Sequence, residues 1–116
     1  MQNNVQNPEI VIIGAAIIDV LARPVSTSVF ETGSYPVEDI HMTTGADALN
    51  EATILAKKGR KVQLETVIGR DEAGKFIQNH CERTGIIARP ECIREDERTG
   101  MNMVLVEEDG TRSFLT

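Results

Sequence analysis

The segment from Thr43 to Gly59 constrains the fold more than any other part of the chain. A Thr-Thr-Gly-Ala turn leads into a helical pattern whose opening turns carry Asp47, Asn50 and Glu51. Apolar residues recur at helical spacing, and a glycine follows the last of them, as is typical of an amphipathic helix with a defined end. These positions are Ala48, Ala52, Leu55, Ala56 and Gly59.

The start of this helix has two possible caps. Thr44 and Asp47 are spaced as in a capping box, whereas Asp47 alone is also a suitable N-cap, and the spacing does not separate the two. The first amides of a helix have no partner within it. A glycine-containing turn at this place is therefore suited to hold an oxygen-rich ligand, or it is an ordinary tight turn before a capped helix.

Length and composition limit the classes of protein to consider. With 116 residues and a net charge of −6, we expect one domain, residues 1–116, that binds neither nucleic acid nor an anionic membrane. Two cysteines are too few for a disulfide framework. No stretch approaches the roughly 20 apolar residues of a membrane span, and the N-terminus lacks a signal-type segment. We therefore expect a cytoplasmic protein.

The first strong strand pattern comes before an aspartate. The unbroken apolar run Ile10–Ile13 predicts a strand buried on both faces, as in a parallel sheet. Asp19 follows after further apolar residues and is predicted at a strand end that faces a cleft, because ligands of open α/β sheets bind at the carboxyl ends of strands. The alternatives for Asp19 are a strand-end cap and a surface acid in a salt bridge.

The later segments complete an α/β order. Alternating apolar residues predict a strand across Lys61–Gly69, and Asp71 is the predicted N-cap of a second helix that Gly85 ends. Met101–Val106 has a strong strand pattern, and the Asp-Gly turn after it predicts a hairpin. The order strand, flap, helix, strand, helix, strand and hairpin predicts a parallel core with a small excursion of β-strands.

The segment before the first helix and the two histidines add little chemistry. Arg23–Met42 predicts irregular strands or a flap, with strand-prone residues at Ser28–Phe30 and Ile40–Met42. His41 receives no role. His80 and Cys81 are adjacent on a helix, so their side chains point about 100° apart, a poor geometry for a base and its nucleophile.

Four landmarks together resemble the ribokinase-like (PfkB) carbohydrate kinases. Residues 45–52, Gly-Ala-Asp-Ala-Leu-Asn-Glu-Ala, are similar to the family's Gly-Gly-x-x-x-Asn-x-Ala signature. The other three occur in family order: Gly14–Asp19, Gly69–Gly74 and the Thr99-Gly100 hairpin. The resemblance implies a Rossmann-like parallel sheet flanked by helices, with a small β-lid at about residues 21–42 and 99–116. It assigns the glycines of 69–74 to turn geometry.

The resemblance also implies a function. The complete enzymes phosphorylate a hydroxyl of a monosaccharide or nucleoside, using ATP and Mg²⁺, and their ATP loops and catalytic aspartate lie in the C-terminal half. We therefore expect this chain to be a truncated, N-terminal sugar-recognition and lid portion without an ATP site or catalytic base. The implied substrate-binding residues are Asp19, Gly45, Ala46, Asp47, Asn50 and Asn102, the last of which is equally well explained as a surface residue.

The sequence also predicts an oligomer and allows a second function. The exposed edge of a shortened sheet, or the lid strands, predicts a homo-oligomer. The alternative function is a non-catalytic ligand-binding or dimerisation domain built from the same segment.

Two departures from the family pattern bear on ligand binding. Ile17 occupies the place of an asparagine that many ribose-specific members have, so one polar sugar contact is expected to be absent or replaced. Ala46 replaces the second glycine of the signature. If that position requires a positive φ, alanine resists the conformation by about 1 kcal/mol or more.

Overall fold

The computed structural model describes residues 7–116, in which strands and helices alternate along the chain. The strands are β1 (Ile10–Ile13), β2 (Ile17–Arg23), β3 (Asp39–Gly45), β4 (Val62–Glu65), β5 (Ile68–Gly69), β6 (Ile93–Arg94), β7 (Gly100–Val106) and β8 (Arg112–Leu115). The helices are α1 (Val29–Thr32), α2 (Asp47–Lys57), α3 (Glu72–Thr84) and a 3₁₀ helix at Pro90–Cys92. The chain divides into two compact units. Unit 1 comprises the described residues up to Ile17 and 44–100, and unit 2 comprises 18–43 and 101–116.

Unit 1 is built on short parallel strand pairs. β1 pairs with β4, from Ile10 opposite Val62 to Ile13 opposite Glu65, and β5 pairs with β6. The largest fully buried side chains of this unit are aliphatic: Leu49, Val62, Leu64 and Ile77. A core of this kind needs close backbone approach where helices meet strands. A Cβ at Gly14 would lie 2.8 Å from the Cβ of Ala48, so the end of β1 lies directly against α2.

The prediction that β1 is buried on both faces is wrong. Val11 and Ile13 remain 50 % and 81 % exposed, because α2 packs against one face of β1 and nothing in residues 7–116 covers the other. The single strand predicted across Lys61–Gly69 is also wrong. It is interrupted after Glu65, because the segment changes partner from β1 to β6.

The ends of α2 and α3 test the local predictions. Both proposed caps of α2 are wrong, because the N-cap is Ala46, without a side-chain hydrogen bond. The predicted cap of α3 is confirmed, since the Asp71 carboxylate accepts from Gly74 N at 2.8 Å. Gly59 and Gly85 have positive φ at the C-terminal ends, as their positions predicted.

The buried face of α2 differs in part from the predicted stripe. Ala48 and Ala52 are buried as predicted, but Leu49 is the third buried side chain, while Leu55 and Ala56 are only half-buried. The buried side chains of α2 therefore lie in its first two turns.

Unit 2 contains most of a four-stranded sheet with the order β3-β2-β7-β8. The predicted hairpin is confirmed: β7 and β8 are antiparallel, with Met103 opposite Leu115, and Gly110 takes φ 90° in the turn. The strand-prone residues Ser28–Phe30 instead enter the one-turn helix α1, where the Thr32 hydroxyl donates to Ser28 O at 3.1 Å. Side-chain bonds of this kind compete with strand formation.

His80 on α3 contacts Thr53 on α2, and its surroundings predict that the stability of the protein depends on pH. Thr53 Oγ1 donates its only proton to Leu49 O at 2.7 Å, so the contact with His80 Nε2 at 2.8 Å requires that the imidazole donate. Burial, followed by the nearby Arg83 and Lys57, lowers the pKa of His80. The unfolded chain therefore binds a proton more readily than the folded chain, and stability is lost as pH falls below about 6.5.

We expect the melting temperature to be lower at pH 5.5 than at pH 7.5. In His80→Gln, which keeps a donor but does not titrate, this difference should become smaller. An unchanged difference in the variant would assign the pH dependence to other groups.

Candidate functional site

Two of the predicted site residues meet within unit 2. Asn102 Nδ2 on β7 donates to Asp19 Oδ1 on β2 at 3.2 Å, and both residues are half-buried. Asp19 is the third residue of β2, so its predicted place at a strand end is wrong. The apolar run is broken at Gly14, and a new strand begins at Ile17, which places Asp19 inside that strand.

The other predicted residues lie together at the start of α2 in unit 1. Gly45 is buried at the end of β3, Ala46 is half-buried, and Asp47 and Asn50 are exposed. Asn50 N donates to Ala46 O at 3.0 Å, the first hydrogen bond of the helix. The three preceding helical amides therefore have no acceptor within α2. Their positive helix end favours oxygen atoms, while the carboxylate of Asp47 adds negative charge beside them.

Ala46 has a backbone conformation that favours glycine. Its φ is 80° and its ψ is 151°. This region is almost restricted to glycine, and a residue with a Cβ is strained there by roughly 1–3 kcal/mol. The structure thus has the positive φ on which the predicted cost of alanine depended.

Replacing Ala46 by glycine should therefore stabilise the protein by about 1 kcal/mol. Relief of strain exceeds the added chain entropy of glycine, which costs roughly 0.4–1 kcal/mol. Urea denaturation measures the difference. Ala48→Gly is the matched control, since Ala48 is buried inside the same helix and its loss should destabilise by about 1 kcal/mol. A loss of stability in both variants would contradict the strain at Ala46.

A cavity of about 650 Å³ in unit 1 was not predicted from the sequence. It lies at the carboxyl ends of β1 and β4, where ligands of open α/β sheets bind. Its wall includes the ion pair between Glu65 Oε1 and Arg89 Nη2, 2.5 Å apart, and the hydrogen bond from Arg89 holds the pKa of Glu65 below its usual value. The Thr66 hydroxyl in this wall is buried and has no hydrogen-bond partner in the described part of the chain. In the sequence, the only indication of this cavity was the position of the predicted strand ends.

Metal and nucleophile chemistry receive no support within residues 7–116. No group of three or more His, Cys, Asp or Glu side chains there is arranged to hold a metal ion. Both cysteines are free and buried, and burial raises the pKa of Cys81 to about 11. The thiol therefore stays protonated, in agreement with the inert His80–Cys81 pair that the sequence predicted. Among these residues, no helix has the length and apolar character to cross a membrane.

The α/β fold and its motifs can be compared with proteins of known structure. Two structures of fructokinase from Xylella fastidiosa, one with bound ATP, are 26 % and 24 % identical to the chain, with TM-scores of 0.73 and 0.74. They match 91 % and 94 % of this chain but 32 % and 33 % of those chains. A ribokinase from Thermotoga maritima is 18 % identical, with a TM-score of 0.76, covering 94 % of this chain and 36 % of that chain.

An adenosine kinase from Sinorhizobium meliloti is 21 % identical, with a TM-score of 0.72 and coverage of 92 % of this chain and 38 % of that chain. The chain thus spans about a third of the length of the structures it matches, and it has the ribokinase-like fold. The family model for pfkB family carbohydrate kinases matches residues 7–116. The chain therefore belongs to the PfkB family of carbohydrate kinases, as its landmarks indicated.

Proposed function

We propose that this chain is the substrate-recognition part of a carbohydrate or nucleoside kinase. The observation that carries the proposal is the hydrogen bond between Asn102 and Asp19, which pairs two predicted ligand residues across two strands. A half-buried carboxylate held in this way is a strong acceptor for a ligand hydroxyl. Residues 21–42 and 99–116 would form the lid strands. Within unit 1, the segment Gly45–Asn50 would offer its own helix amides and side chains to ligand hydroxyls.

The charges favour a neutral polyhydroxylated ligand. Asp19 contributes a half-buried carboxylate to the proposed contacts. A phosphorylated or carboxylated sugar would be repelled by this group, whereas hydroxyl groups can donate to it. A monosaccharide or nucleoside fits this pattern.

The charges at the start of α2 do not fit a nucleoside triphosphate there. Asp47 and Glu51 supply negative charge where a phosphate site needs donors and cations. The family resemblance puts the ATP loops and the catalytic aspartate in the C-terminal half of complete enzymes, and we place ATP, Mg²⁺ and the catalytic base of the proposed kinase outside residues 1–116 for that reason. We also propose that the activity is cytoplasmic. No catalytic residue is assigned within the chain.

Calorimetry combined with an ATP-consumption assay tests this function. The chain should bind at least one member of a panel of fructose, ribose, other monosaccharides and adenosine, without consuming ATP. Binding of none of them would overturn the recognition role. ATP consumption by the purified chain alone would overturn the assignment of the nucleotide site.

A second candidate function, dimerisation, is favoured by apolar side chains on the strands of unit 2. Met103 and Leu115 are opposite each other in the β7–β8 register and are 47 % and 57 % exposed. Met101, two residues before Met103, projects to the same side of its strand and is also exposed. Burying such side chains against a second copy would remove them from water.

Sedimentation velocity measures the oligomeric state and so tests dimerisation. The wild-type chain should sediment as a dimer, and Met103→Gln combined with Leu115→Gln should shift it to monomer. Phe30→Gln is the control, because Phe30 on α1 is 83 % exposed but lies outside the strands. A monomeric wild type would contradict dimerisation.

A further inference from the structure

Asp71 binds a segment far from it in sequence, in addition to capping α3. Its Oδ1 accepts from Gly74 N at 2.8 Å and from Thr99 Oγ1 at 2.6 Å, while Oδ2 accepts from Thr99 N at 3.0 Å. Gly69 N in turn donates to Thr99 Oγ1 at 2.9 Å. Thr99 is the one buried polar residue among the described side chains, and its hydroxyl is used both as donor and as acceptor.

The two glycines of this motif are required for space rather than for turn geometry. Neither Gly69 nor Gly74 has positive φ, which corrects the role assigned from the sequence. A Cβ at Gly69 would collide with Glu97 O and approach Thr99 N to 3.0 Å. A Cβ at Gly74 would collide with Gly69 O and approach Thr99 Oγ1 to 2.9 Å. The chain around Thr99 is thus held against the start of α3 by contact as well as by hydrogen bonds.

We propose that Asp71 and Thr99 are positioning residues that fix the register of β7 and thereby keep the Asn102 amide on Asp19. β7 begins at Gly100, directly after Thr99. Asn102 is the third residue of that strand and the donor to Asp19. A slip of one residue would turn every side chain of a strand to its other face, so the anchoring of Thr99 decides which side chain meets Asp19.

A second contact at the same place supports this role. A Cβ at Gly100 would lie 2.8 Å from Ile17 Cγ2, so the first residue of β7 lies close against the first residue of β2. Gly100 is therefore held laterally by Ile17, while Thr99 is held by the Asp71 carboxylate. Together these contacts leave β7 one starting position.

The carboxylate remains charged over the working range of pH. The hydrogen bonds from the Thr99 side chain and backbone, followed by that from Gly74 N, lower the pKa of Asp71. Because the folded pKa is depressed, the stabilisation is present above about pH 4 and is lost only as pH falls through the lower folded value.

NMR spectroscopy of the intact chain tests the proposal through the side-chain amide of Asn102. Thr99→Val keeps the shape of threonine but removes the hydroxyl, and Thr99→Ser keeps the hydroxyl. In Thr99→Val the Asn102 side-chain signal should move to the position that it has in Asp19→Ala, and amide exchange along β7 should accelerate roughly tenfold or more. In Thr99→Ser both should stay near wild type.

Two further variants separate positioning from general stability. Asp71→Asn retains a good N-cap but cannot accept from Thr99 N with its amide nitrogen, so it should move the Asn102 signal in the same direction as Thr99→Val. It also tests the proposal if Thr99→Val does not fold. Ile77→Val removes a methyl group from the buried face of α3 and should lower the melting temperature without moving the signal.

The proposal is overturned if Thr99→Val and Asp71→Asn leave the Asn102 signal unchanged, or if Ile77→Val moves it equally. That the positioning serves ligand binding rests on the proposed function. The experiments distinguish a failure of the positioning from a failure of that function. A wild-type chain that binds no sugar while Thr99→Val still moves the signal contradicts the function and leaves the positioning intact.

Discussion

Replacing Gly74 by alanine is expected to lower the free energy of unfolding by roughly 3 kcal/mol or more. The new methyl group would collide with the carbonyl oxygen of Gly69 and lie 2.9 Å from Thr99 Oγ1 and 3.1 Å from Asp71 Oδ1. Displacing any of these atoms would cost free energy. The first belongs to the backbone, and the other two belong to the hydrogen-bond cluster that caps α3. The substitution therefore forces either the helix start or the Thr99 segment to shift.

Urea denaturation followed by circular dichroism measures the loss. Lys75→Ala is the matched control, because Lys75 is the next residue of the same helix, is exposed, and alanine is the best helix former. It should change stability by less than about 0.5 kcal/mol. If Gly74→Ala were as stable as this control, the close packing of residues 97–99 against the start of α3 would be contradicted.

Replacing Asp19 by asparagine is expected to weaken binding of the proposed sugar or nucleoside ligand about 10- to 100-fold. A hydrogen bond to a charged group contributes about 1.5–3 kcal/mol, and each 1.4 kcal/mol corresponds to a factor of ten in Kd. Asparagine has nearly the same shape as aspartate, so the loss reports the charge and the acceptor atoms rather than the fold. Calorimetry at neutral pH with the ligand identified for the wild type measures it.

The control for this change is Glu82→Gln. Glu82 on α3 is an exposed carboxylate that belongs to neither the proposed ligand contacts nor the lid strands. The same loss of one negative charge at the surface should therefore leave ligand affinity within twofold of wild type. Equal affinity in Asp19→Asn and the wild type would remove Asp19 from the proposed site.

The local signals in the sequence predicted local structure well. The Asp71 cap, the closing glycines Gly59 and Gly85, and the hairpin after β7 depend on residues within a few positions of one another, and the structure has all of them. The turn at Ala46 could be anticipated because the family signature places a glycine there. In each case the deciding contact lies inside one short segment.

Two local predictions failed, the side-chain cap of α2 and the strand at Ser28–Phe30, and the other failures depended on distant partners. Whether Val11 is covered depends on what packs over β1, and the interruption after Glu65 depends on which strand each half pairs with. The Asp71–Thr99 contact joins residues 28 positions apart, and no periodic pattern marks it. The cavity at the carboxyl ends of β1 and β4 likewise arises from four segments that meet only in the fold.

The Asp19–Asn102 pair is proposed to contact the ligand directly. An NMR titration with the tightest-binding sugar or nucleoside tests this most directly, by following the Asn102 side-chain amide. This signal should shift with the Kd that calorimetry gives for the same ligand. An Asn102 signal that stays unchanged at saturating ligand would contradict the proposed contact.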